Sequence, residues 1–149
     1  QVDKLWLLTG EGQMFADART RGPQIPFYDV DVEHGLKHLE HLEPESNLIL
    51  SPVGACDLAM CYTGRAMGAL VPPGTVVLLK AVDRDAIIPG GEYAIVSRKI
   101  VTLRIVRAAD EEDKVRLVAG DRENYDDILL NVSDIVAVYK VKGKLIINS

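Results

Sequence analysis

A chain of 149 residues, 48% hydrophobic and 26% charged, is long enough for one domain with a real core and is globular rather than disordered in composition. No apolar run approaches the roughly 18–20 residues of a membrane span, and no secretory pattern opens the sequence, so the expectation is a cytoplasmic protein with no membrane partner. A net charge of −5 gives little pull on phosphate backbones and argues against strong nucleic-acid binding by this piece alone.

In chain order, Leu5, Trp6 and Leu8 read as the apolar end of a helix stopped by Gly10 and Gly12, and a polar linker follows from Asp17 to Gly22. Residues 1–22 are therefore expected to be the end of a neighbouring domain plus linker, and residues 23–149 the domain proper. Ile25 to Val30 predicts an edge strand, because Pro26 has no amide proton to give to a ladder. Glu33 to Glu43 predicts a short helix or loop, with Leu36, Leu39 and Leu42 three apart, stopped near Pro44. Strands are then expected at Cys56–Tyr62, Thr75–Val82, Glu92–Ser97, Ile100–Arg107, Val115–Ala119 and Ile135–Ile147. Turn signals at Pro72-Pro73-Gly74, Pro89-Gly90-Gly91, Gly120-Asp121 and Gly143 separate them. Many strands and little helix predict a mainly β domain. Cys56 and Cys61, five apart on a strand, fall on opposite faces, so no disulfide between them is expected and both read as cytosolic thiols.

Two segments carry a resemblance. Trp6-Leu7-Leu8-Thr9-Gly10-Glu11-Gly12-Gln13-Met14 resembles the closing segment of the Cro/phage-repressor helix-turn-helix domain. Gly64-Arg65-Ala66-Met67, followed by Pro72-Pro73-Gly74-Thr75 and the run Val76 to Lys80, resembles the G-D-S-M frame and following strand of the LexA/phage-repressor (signal-peptidase-like) peptidase family. The likeness continues through Ile87–Val96, Leu117–Tyr125 and the strand pair Ile135–Tyr139 and Lys144–Ile147. It implies a LexA-like, β-clip-type fold of twisted antiparallel sheets.

The family works with a Ser–Lys dyad, in which a desolvated lysine takes the serine proton. At the serine position stands Ala66, whose methyl group attacks nothing. At the lysine position stands Arg104, which stays protonated and cannot be a general base. The nearest lysine, Lys99, is expected in the preceding turn. Self-cleaving members cut an Ala-Gly bond, and the corresponding dipeptide here is His34-Gly35. The resemblance thus implies a pseudo-peptidase: the dimerisation or regulatory domain of a DNA-binding repressor. DNA would be read by a helix-turn-helix part outside this chain, and a homodimer would form through the C-terminal strands. If Ala66 replaces a native serine, the alternative is an active autoproteolytic serine peptidase.

Rival constellations are weaker. His34, His38 and His41 would share one helix face and could hold zinc, but Gly35 weakens that helix and a solvated face is the simpler reading. Ser51 lacks a glycine elbow or a base. Lys140, Lys142 and Lys144 alternate along a strand and are expected on one solvated face. Gly90-Gly91 opens a strand, not a phosphate-binding helix. No cofactor or metal is expected.

Overall fold

The computed structural model describes residues 24–49 and 56–146. The Trp6–Met14 segment, the linker, Ser51 and Ile147 lie outside the described residues. The domain is mainly β with little helix. Its strands are β1 (Gln24–Asp31), β2 (Ser46–Ile49), β3 (Leu58–Tyr62), β4 (Thr75–Val82), β5 (Glu92–Ser97), β6 (Val101–Ala108), β7 (Lys114–Val118), β8 (Ile128–Asn131) and β9 (Ile135–Leu145). They form one sheet in the order β2-β1-β3-β4-β9-β5-β6-β7-β8, antiparallel except for the parallel pair β1–β3.

Period-two patterning assigns the core. Val77 and Leu79 of β4 join Met60 and Tyr62 of β3, Ala94 of β5 and Leu103 of β6 in one apolar cluster. The alternate residues turn the other way: Val76 and Leu78 pack with Ile25, Phe27 and Leu48, whereas Tyr93 and Ile95 pack with Val106, Leu117 and Val138. The central strands are thus buried on both faces, which is why they read as nearly continuous apolar runs.

Several expectations need correction. β1 is not an edge strand, because β2 pairs with it on the outside and β3 on the inside. Pro26 lies opposite Asn47 and precedes the parallel ladder, which begins at Phe27, so its missing donor interrupts little. The segment after β1 is one helical turn, α1 (Val32–Gly35), and a 3-10 stretch from Leu36 to His41 that is kinked at His38. That kink removes the continuous helix on which His34, His38 and His41 would have aligned. All three are exposed, and His34 and His38 meet edge to face at 5.5 Å. The final strand pair is one strand, β9, with a bulge where Leu78 faces Gly143 and Leu79 faces Val141.

The bulge also overturns the single lysine face. Lys144 lies opposite Val77, on the face of the first cluster, whereas Lys140 lies opposite Tyr93, on the other. An extra residue in a strand inverts everything beyond it. Lys140 sits 4.9 Å above the Tyr93 ring, and Lys144 pairs with Glu92 at 3.0 Å.

Candidate functional site

A cleft of about 330 Å³ opens beside β6 and is lined by residues that include Glu33, Tyr62, Gly64, Ala66, Thr102, Arg104 and Tyr125. It exists because β7 accompanies only half of β6. The β6–β7 register runs from Ile105 opposite Val118 to Ala108 opposite Val115, so residues 101–104 have β5 on one side and the cleft on the other.

The Ala66 loop forms one wall. β3 ends at Tyr62, and the chain turns over the sheet through Gly64-Arg65-Ala66-Met67. A β-carbon at Gly64 would lie 2.8 Å from the Tyr62 hydroxyl, so glycine lets the loop rest on the phenol. The Ala66 carbonyl accepts a hydrogen bond from the Asp121 amide at 2.9 Å. Gly120 is pressed against the Met67 carbonyl, where any side chain would collide with backbone. These contacts hold Ala66 at 8% exposure over the end of β6.

Glu33 enters from the other side. Asp31 caps α1 by accepting from the Glu33 amide at 3.0 Å, and its second oxygen accepts from the Thr63 amide and hydroxyl, both at 2.7 Å. One carboxylate thereby ties the end of β1 to the loop after β3. Glu33 Oε2 accepts from the Leu103 amide at 3.1 Å, taking the place a neighbouring strand carbonyl would have. Burial raises the Glu33 pKa above its ordinary value, and the donors at Leu103 and Thr102 only partly offset this.

Arg104 is 7% exposed. One terminal nitrogen donates to the Asp126 carbonyl at 3.1 Å, and the guanidinium lies 6.0 Å from the Tyr125 ring centre. Its Nε has no hydrogen-bond partner, nor does the hydroxyl of fully buried Tyr62. The Met67 amide is aimed at the phenol oxygen without reaching hydrogen-bond geometry. Burial, reinforced by the Glu33 charge, pushes the phenol pKa up to about 12.

The structure therefore brings Ala66 and Arg104 into one cleft. His34 and Gly35 do not line it: His34 is exposed, and Gly35 is packed beneath Val30 and Met60 within a helical turn. Lys99 is exposed in the β5–β6 turn. The lining holds no serine, cysteine, histidine or lysine, so neither member of a Ser–Lys dyad is present in it. Glu33 and Tyr62 escaped the sequence reading. The only hint was an acid among Val32, Gly35 and Leu36, and a tyrosine two residues before a glycine. Among the described residues, no helix is long and apolar enough to cross a membrane, and no cluster of three or more His, Cys, Asp or Glu could hold a metal. No disulfide joins Cys56 to Cys61. The chain matches no family model and no curated protein.

Proposed function

We propose that this chain is the cytoplasmic C-terminal dimerisation and regulatory domain of a DNA-binding regulator of the LexA/phage-repressor type, with a peptidase-like cleft that has lost its dyad. The observation that supports this best is the meeting of positions 66 and 104. They belong to motifs far apart in the sequence, and they line the same cleft. Neither residue can perform the dyad's chemistry, and the His34–Gly35 bond lies in a helical turn away from the cleft. DNA recognition belongs in this reading to a helix-turn-helix part outside the chain, and a two-fold contact sets the spacing of two such parts.

β9 lies inside the sheet, which narrows how it could meet a second copy. Residues 138–140 are bonded to both β4 and β5, leaving no open edge there, whereas residues 135–137 pair with β5 alone among the described residues. Residues 141–145 pair with β4 alone among the described residues, and the side chains of Val136 and Ile146 are exposed. A dimer through this strand uses that outer stretch or those apolar groups.

Two measurements test the reading. Sedimentation over micromolar concentrations should show a reversible dimer, weakened by Ile146→Asp. Incubation from neutral to alkaline pH, followed by intact-mass determination, should show one unchanged species. A strictly monomeric chain overturns the dimerisation role, and a fragment pair split between residues 34 and 35 overturns the pseudo-peptidase role.

A further inference from the structure

Arg104 is a buried cation that feels the Glu33 charge in the same cleft but makes no direct ion pair. It is 7% exposed, forms no ion pair with Glu33 or any other carboxylate among the described residues, and makes a single hydrogen bond, to a neutral carbonyl. A buried charge in such surroundings is costly unless an opposite charge reaches it. Another buried polar side chain short of a hydrogen-bond partner, Tyr62, lines the same cleft. With its pKa near 12 the phenol keeps its proton and is a donor. Two donors without hydrogen-bond partners, one of them on a cation, therefore belong to the lining of one small cleft.

Ala66, Ile100, Val101, Ile128 and the Tyr125 ring give the wall an apolar side, and Glu33, Arg65 and Thr102 complete it. A volume of about 330 Å³ is at the lower end of the range for small-molecule sites. We propose that this cleft binds a small organic monocarboxylate with an apolar body, its carboxylate drawn to the Arg104 guanidinium and accepting from Nε and the Tyr62 hydroxyl once a small movement of the wall uncovers these two buried atoms. Inorganic phosphate fits less well, because it leaves the apolar wall uncovered and brings more negative charge toward Glu33. The proposal rests on the cleft alone and does not depend on the domain being a repressor part.

The test is titration of the isotopically labelled chain with benzoate, followed by amide shifts in NMR, with isosteric and uncharged benzamide as control. Benzoate should bind at about millimolar concentration, as befits so small a ligand, and shift the amides of Ala66, Leu103 and Arg104. Tyr62→Phe should weaken it about tenfold while leaving the melting temperature unchanged or higher, because the hydroxyl is unbonded in the free protein. Arg104→Met should weaken it more than about tenfold, and Glu33→Gln, which removes the only acid in the lining, should strengthen it. Equal binding of benzamide, undiminished binding by both Tyr62→Phe and Arg104→Met, or shifts confined to other surfaces would each overturn the proposal. A peptide end offers the same carboxylate, so hydrocinnamate is compared with N-acetylphenylalaninate. Tighter binding of the acetylated compound would overturn the free-acid assignment, and tighter binding of hydrocinnamate supports it. Sedimentation of the same samples reads self-association separately, so the two proposals can fail independently.

Discussion

Residues 105–108 and residues 101–104 belong to the same strand, β6, yet they lie in different environments. The first group is zipped to β7 in a regular ladder, and the polar side chains of β7 have partners. Lys114 donates to Asn131 at 2.6 Å, Arg116 meets Asp127 at 3.5 Å, and Arg84 donates to the carbonyls of Val132 and Ile135 at 2.8 and 3.2 Å. The second group borders the cleft, where a guanidinium nitrogen and a phenol go without partners and a carboxyl is held in burial. A stable fold tends to satisfy such groups, and natural proteins leave local exceptions where a site requires them. Charge therefore has opposite consequences at the two ends of one strand.

The largest way to break this contrast is at the junction. Gly120 touches the Met67 carbonyl where the chain leaves β7, and backbone cannot give way as a side chain can. Gly120→Ala should cost about 2–3 kcal/mol in urea denaturation and disturb the amide signals around Ala66. Next comes the sign test. Arg104→Met should leave the protein as stable as before or up to about 2 kcal/mol more stable, because an apolar chain of similar length replaces a buried charge that no direct ion pair neutralises. A loss above about 1 kcal/mol would mean that the Asp126 carbonyl already compensates the guanidinium.

Glu33→Gln gives a smaller effect with a defined pH dependence. Burial raises the Glu33 pKa above 4.5, so the native state holds this proton more tightly than the unfolded chain does. Its contribution to stability is complete below that ordinary value and is lost as pH rises through the raised native value. Glutamine keeps an acceptor for the Leu103 amide without the charge. The variant should therefore be more stable than the parent at pH 7, with the gain fading toward pH 4 in urea midpoints. The smallest change belongs to the zipped end: Arg116→Ala should shift stability by no more than about 0.5 kcal/mol, and only downward.

Local pattern was enough for β4 and β5, whose bounds follow from runs of β-branched and apolar residues between turns. β6 and β7 shift by one residue, as strand ends commonly do. β2 and β8 escaped notice because Ser-Asn-Leu-Ile and Ile-Leu-Leu-Asn are too short to alternate, and each is specified by the strand beside it. Missing β2 made β1 look like an edge. At the cleft, the frame around Ala66 and the place of Arg104 could be read from spacing. The roles of Glu33 and Tyr62 could not, because an unsatisfied hydroxyl or a buried carboxyl arises only when segments 30 to 70 residues apart are stacked.

The position of β9 bears on how the chain comes to be folded. It is fifth in the sheet order yet follows every other strand in the sequence, and it bridges β4 to β5. On the ribosome, β3 can zip to β4 and β5 to β6 soon after each pair emerges, but the two sub-sheets stay separate until residues 135–145 arrive. During that interval β4 and β5 each present a bare, largely apolar edge to solvent, the kind of surface that recruits chaperones or other nascent chains. Closure then requires long-range pairing over some sixty residues between β4 and β9, which makes insertion of this keystone strand the expected slow step of folding.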